Sequence, residues 1–132
     1  MPKPLTAGLI YFALVFSAAF LIGVLRTLVV APAIGETAAV LAEVPIVLAL
    51  SWLFCRWVTR HIPVPALQGR VMMGILAFVL LMAAELLLAV LIAHRTVAGH
   101  FALYRTAPAL IGLLGQIGFA AIPSVQLWQN RR

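Results

Sequence analysis

The chain has 132 residues, of which 65% are hydrophobic and 9% are charged, and its formal net charge is +6. Soluble domains average about 45–50% apolar and about 25% charged residues, so this excess of apolar residues predicts a lipid environment. The Lys and Arg residues form no dense run, which argues against a nucleic-acid partner. The single cysteine, Cys55, excludes an intramolecular disulfide and a CxxC motif.

Four apolar stretches reach the roughly 20 residues that a membrane-spanning helix needs. We expect the spans at about residues 5–30, 36–56, 70–94 and 106–128. Unbroken apolar runs favour helices over the shorter alternating strands of a membrane β-barrel, and short connections favour antiparallel neighbours. The sequence therefore predicts an all-α, integral membrane four-helix up-down bundle, in which residues 1–132 form a single transmembrane domain.

Basic residues fall unevenly on the two sides of this predicted bundle. One side carries Lys3, Arg56, Arg60, Arg70, Arg131 and Arg132, and the other carries Arg26, Arg95 and Arg105. Because cytoplasmic segments carry the excess of Lys and Arg, we expect both termini and the middle connection in the cytoplasm, and the chain in a bacterial cytoplasmic membrane. A cleaved signal peptide is disfavoured, because the first apolar run is longer than the roughly 7–15 residues of such a segment.

The three acidic residues are Glu36, Glu43 and Glu85, and the last two interrupt apolar spans. A carboxylate in hydrocarbon is costly, so it normally faces protein or a water-filled cavity and marks a candidate functional site. Helical spacing puts Ala39 and Ser51 on the same face of the second span as Glu43. Small residues of this kind allow close helix contacts, so we expect the faces that carry the glutamates to point inward.

Five polar residues are expected to lie together in the outer half of the bundle. They are Arg26, Glu36, Glu43, Glu85 and Gln116. In a functional interpretation, Glu43 or Glu85 binds a proton or a cation, and Pro45 frees a backbone carbonyl nearby. In a structural interpretation, Arg26 pairs with Glu36 or Glu43, Gln116 bonds Glu85, and the network only fixes the register of the helices.

No motif of a nucleophile, a phosphate-binding loop, a metal site or a cofactor accompanies these residues, so we expect no enzyme, no metal and no cofactor. His94 and His100 are interpreted as residues at the membrane interface. The leading hypothesis is a small four-span membrane protein that acts as an accessory or structural subunit or as a homo-oligomer. Its partners would be the lipid bilayer and another membrane protein or a second copy. The alternative is a proton- or cation-coupled transporter or channel that uses Glu43 and Glu85.

Overall fold

A computed structural model of the chain describes residues 2–130, so Arg131 and Arg132, two of the basic residues behind the expected topology, lie outside it. The structure is 90% helical, and the described residues form no strand. Its helices are α1 (Lys3–Leu25), α2 (Ala31–Ile34), α3 (Glu36–His61), α4 (Leu67–Leu91), α5 (Val97–Ala102) and α6 (Ala107–Asn130). A π-helical turn (Arg26–Val30) joins α1 to α2, and a 3-10 turn (Leu103–Arg105) follows α5. The predicted all-α fold is confirmed, and four helical segments are long and apolar enough to cross a membrane.

These four segments differ from the predicted spans at their ends. The first continues over Lys3–Ile34 and stops where Gly35 adopts a φ of 90°, a conformation that glycine tolerates without strain. The second is longer than predicted and ends at His61, just ahead of the proline-containing connection 62–66. The third stops at Leu91 instead of residue 94, because the chain turns at His94, where φ is 56°.

The π-helical turn interrupts the first segment near one predicted site residue. The backbone N–H of Ala31 donates to the carbonyl of Arg26, five residues earlier, where an α-helix would use the residue four earlier. Pro32 follows directly and has no N–H to offer to the carbonyl of Leu28, so the regular bond pattern cannot continue through this turn. π-Turns inside helices occur frequently at functional sites, and this one begins at Arg26.

The long helices pack in a ring in which α1 contacts α3 and α4, and α6 contacts the same two helices. Gly69 lies against Pro4 and Gly8 lies against Met73, so α1 and α4 run in the same direction. On α6, Gly115 lies against Val44 of α3 and Gly118 lies against Leu48, so α3 and α6 also run in the same direction. The helices α4 and α6 run in opposite directions, because Arg70 near the start of α4 bonds the carbonyl of Pro123 in the second half of α6.

The expectation that consecutive spans are neighbours fails for α3 and α4, which lie across the diagonal of the ring and whose backbones make no close approach among residues 2–130. Their irregular connection, residues 62–66, has the exposed residues Pro63 and Pro65 on either side of one buried residue, Val64. Val64 in this connection is buried, and its carbonyl accepts a 2.7 Å hydrogen bond from Nε of Arg70. The Val64 side chain and carbonyl therefore attach this connection to the core and to the start of α4.

The core is concentrated at the end of the bundle where α1 begins and α6 ends, which we call the N-terminal end. The opposite end, where α1 ends and α6 begins, contains a cavity that is described below, and we call it the cavity end. The largest fully buried side chains there include Tyr11, Phe119, Met73 and Val58. As predicted, the small-residue faces point inward, and the buried small residues include Ala39, Ser51, Gly74 and Ala89. The closest approach is between α4 and α6, where the carbonyl oxygen of Ala120 occupies the space that a side chain at Gly74 would need.

Candidate functional site

A cavity of about 860 Å³ occupies the cavity end of the bundle. Its walls come from α1, α3, α4 and α6, together with the segment 100–106 between α4 and α6. Its inner end reaches Val15 and Phe119, which belong to the buried core, and its outer part reaches Glu36 and Thr106. All five residues that the sequence predicted to lie together line this one cavity: Arg26, Glu36, Glu43, Glu85 and Gln116.

Arg26 and Glu43 form an ion pair across the contact between the first segment and α3. The distance from Nε of Arg26 to Oε2 of Glu43 is 2.6 Å, and the side chains are 27% and 16% exposed. The Nε–H of Arg26 is not aligned as a hydrogen bond to any acceptor, so the contact is mainly electrostatic. The sequence left open whether Arg26 pairs with Glu36 or Glu43, and the structure selects Glu43.

Glu85 and Gln116 form a second contact, between α4 and α6. Nε2 of Gln116 donates a 2.5 Å hydrogen bond to Oε1 of Glu85. The other amide atom, Oε1 of Gln116, is buried and accepts no hydrogen bond from the described residues. Among residues 2–130 the Arg26–Glu43 contact is the one ion pair, so Glu85 has a neutral partner and no cation within 4.0 Å.

Glu36 differs from the other two glutamates. It is the first residue of α3, directly after Gly35, and it is exposed where the cavity ends. A carboxylate at this position stabilises the helix by its favourable interaction with the N-terminal end of the helix dipole. The five predicted residues therefore comprise two contacting pairs deep in the cavity and one exposed carboxylate near its outer end.

Several lining residues come from the segment between α4 and α6, and the sequence did not predict them in the site. Those with charged or aromatic side chains are Arg95, His100 and Tyr104. The His100 and Tyr104 rings meet edge to face with centroids 5.8 Å apart. Burial raises the pKa of the Tyr104 hydroxyl, and the Glu85 carboxylate raises it further, so this hydroxyl lies within electrostatic reach of Glu85. No apolar periodicity marks this segment, so its position at the cavity could not be predicted from the sequence.

Polar side chains at the N-terminal end bind backbone carbonyls of other helices and close that side of the bundle. Nη1 of Arg70 donates to the carbonyl of Pro123 at 3.1 Å, and Nε2 of Gln126 donates to the carbonyl of Trp52 at 2.8 Å. Arg70 is 5% exposed, whereas its position among basic residues had predicted only a topology signal.

The described residues contain no group of three His, Cys, Asp or Glu side chains placed to hold a metal ion. Cys55 is a free cysteine that is fully buried in the core. The chemistry of the cavity is therefore that of carboxylates, guanidinium groups, an amide and two rings. Comparison of the chain with protein-family models, with curated proteins and with solved structures gave no match.

Proposed function

We propose that the chain is an integral membrane protein of four spans arranged as an up-down bundle in a bacterial cytoplasmic membrane. Four helical segments of sufficient length and hydropathy support this, as do the many large apolar side chains on the outside of the bundle. Lys3, Arg56, Arg60 and Arg70 belong to the N-terminal end, and Arg26, Arg95 and Arg105 to the cavity end. By the positive-inside rule the N-terminal end is cytoplasmic and the cavity opens to the other side.

We propose further that the cavity binds protons or a small cation, as the site of a coupled transporter or channel. The observation that carries this proposal is Glu85, a carboxylate on a candidate membrane span that borders an 860 Å³ cavity and is held by a neutral amide. A buried carboxylate without a cationic partner is costly, and a proton or a bound cation relieves that cost.

The other charges on the cavity wall are consistent with a cationic ligand. Glu43 offsets the charge of Arg26 at 2.6 Å, so this arginine contributes little positive potential to the cavity. Arg95 is exposed, and the exposed Glu36 carries the opposite charge on the same cavity wall. Among residues 2–130, no cation lies within 4.0 Å of the Glu85 carboxylate to offset its charge.

Flux into proteoliposomes tests this proposal. Proton flux is followed with an enclosed pH-sensitive dye under an imposed potential, and cation flux with labelled tetramethylammonium. We expect the full chain to support at least one of the two fluxes, Glu85→Gln to abolish it, and Glu85→Asp to retain part of it. The Gln variant should keep the thermal stability of the unchanged chain, because an amide of the same shape can still bond Gln116. If neither flux depends on Glu85 under any gradient, the transport proposal is wrong.

A second candidate is an accessory or structural subunit, or a homo-oligomer, without transport of its own. The two polar pairs favour it, since Arg26–Glu43 joins the π-helical turn to α3 and Glu85–Gln116 joins α4 to α6, as register-fixing contacts would. Native mass spectrometry after gentle extraction separates the two candidates. A stoichiometric complex with a different membrane protein supports the subunit, and a homo-oligomer with Glu85-dependent flux supports the transporter.

A further inference from the structure

A second, more apolar cavity of about 620 Å³ lies between α1 and α4 at the cavity end. Its lining includes Phe16 and Phe20 of α1 and Leu88 of α4. The rings of Phe12, Phe16 and Phe20 follow one another along α1 with centroids 5.4 and 6.1 Å apart. We call this space the lateral groove. Its lining includes the exposed side chains of Phe20, Leu28 and Ile92, which lipid tails would contact in the proposed membrane arrangement.

The lateral groove lies beyond the close contact that α1 and α4 make at the N-terminal end. At the N-terminal end a side chain at Gly8 would lie 2.9 Å from the carbonyl oxygen of Met73, so the helices touch there. Towards the cavity end the facing residues include Ala19 and Gly23, which fill little of the space between the helices. A Cβ at Gly23 would meet only Nη2 of Arg26, at an ordinary contact distance of 3.6 Å.

The lateral groove and the cavity meet at polar residues. Arg26, Glu43, Glu85, Arg95 and His100 line both spaces. These shared polar residues are thus reached from two directions, through the cavity and through the lateral groove between α1 and α4. A ligand that occupies both spaces at once must combine a polar head with an apolar tail.

We infer that the site takes a lipophilic ammonium ion, whose cationic head lies at Glu85 while its hydrocarbon tail lies in the lateral groove. This inference rests on the proposed function and names its class of ligand. The tail matches the aromatic and aliphatic lining of the groove, and its burial there supplies the larger part of the affinity.

The head is cationic because of the groups that surround it. Glu85 supplies a carboxylate with a neutral partner, and Oε1 of Gln116 is a buried acceptor without a donor. The Tyr104 and His100 rings line the same cavity, and aromatic rings attract ammonium groups by cation–π interaction. An anionic head would be repelled by the Glu85 carboxylate. Arg26 would not offset this repulsion, because it is already paired with Glu43.

Equilibrium binding to the full chain in nanodiscs tests the inference, with binding to empty nanodiscs subtracted. The three probes are decyltrimethylammonium, tetramethylammonium, which is the same head without the tail, and decyl sulfate, which is the same tail with an anionic head. We expect decyltrimethylammonium to bind at least tenfold more tightly than tetramethylammonium. Decyl sulfate should show no saturable binding, and Glu85→Gln should weaken both ammonium probes at least tenfold.

Two glycines offer a matched pair of variants, since neither has backbone near the space for a new side chain. Gly23→Leu fills the lateral groove, and we expect it to weaken decyltrimethylammonium about tenfold while tetramethylammonium binding stays unchanged. Gly112→Leu fills the cavity, because Gly112 lines the cavity but not the groove, and it should weaken both probes. Retained tetramethylammonium binding shows that Gly23→Leu is folded; if that variant does not fold, Phe20→Ala replaces it with the same expectation.

The results separate this inference from the proposed function. If tetramethylammonium binds as tightly as decyltrimethylammonium and depends on Glu85, the lipophilic ligand is wrong and the cation site stands. If neither ammonium probe binds but proton flux depends on Glu85, the ligand class is wrong and proton coupling stands. If Gly23→Leu weakens both probes equally, the groove is not the site of the tail and the inference is overturned. If binding and Glu85-dependent flux are both absent, both proposals fail.

Discussion

The hydroxyl of Tyr11 donates a 2.6 Å hydrogen bond to the backbone carbonyl of Phe119, across the diagonal of the helix ring. That carbonyl lies four residues before Pro123, whose nitrogen has no hydrogen to give it. The Tyr11 and Phe119 rings also stack, with centroids 4.5 Å apart. A side chain of α1 thus satisfies an acceptor that the sequence of α6 leaves open, at the inner end of the cavity.

This relationship predicts a coupling between two positions. Tyr11→Phe keeps the ring stacking and removes the bond, so it should lower the free energy of unfolding by about 1 kcal/mol. Pro123→Ala restores a backbone donor for the Phe119 carbonyl, so Tyr11→Phe should cost close to nothing in that background. The measurement is a double-mutant cycle on unfolding in mixed micelles. An equal cost of Tyr11→Phe in both backgrounds would show that the proline does not create the need for the hydroxyl.

The Arg26–Glu43 pair predicts an asymmetric response to mutation. Arg26→Met leaves a partly buried carboxylate without its cation, and we expect unfolding to become easier by about 1–3 kcal/mol. The double variant with Glu43→Gln removes the unpaired charge as well, so most of the lost stability should return. Thermal unfolding in detergent, followed by tryptophan fluorescence, measures both. Equal destabilisation in the single and double variants would argue that Arg26 acts through packing rather than charge.

The contact between α4 and α6 predicts a strong preference for glycine at one position. In Gly74→Ala the new methyl group meets the carbonyl oxygen of Ala120, and relief requires the two helix backbones to separate. We expect a loss of about 1–3 kcal/mol, the usual cost of overpacking. Gly112→Ala on α6 is the control, because no atom lies within 4 Å of its new Cβ, and its stability should be unchanged or slightly higher. Similar stability of the two variants would contradict the close contact.

The sequence predicted the four long helices and the grouping of five polar residues, which line one cavity. Both predictions depend on patterns within single helices. Apolar runs of span length determine the helices, and residues four apart determine which face carries Glu43 or Gln116. What it missed depends on contacts between distant segments. The packing of Val64 into the core has no periodic signature, and neither does the position of Tyr104 at the cavity. The choice of Glu43 over Glu36 as the partner of Arg26 likewise depends on how α1 and α3 pack.

Tyr104 and Glu85 line the same cavity, and this arrangement predicts how the tyrosine titrates. The chain has two tyrosines, so in Tyr11→Phe the absorbance of tyrosinate near 295 nm reports on Tyr104 alone. Burial and then the Glu85 carboxylate raise the pKa of Tyr104 above its ordinary value of 10.0. Because the raised pKa belongs to the folded state, folding binds the proton more tightly, and stability should fall as the pH rises above about 10. Glu85→Gln removes one of the two causes, so the titration midpoint should move down towards 10 without reaching it. A midpoint that does not respond to Glu85→Gln would place the Tyr104 hydroxyl away from this carboxylate and would remove it from the cation site.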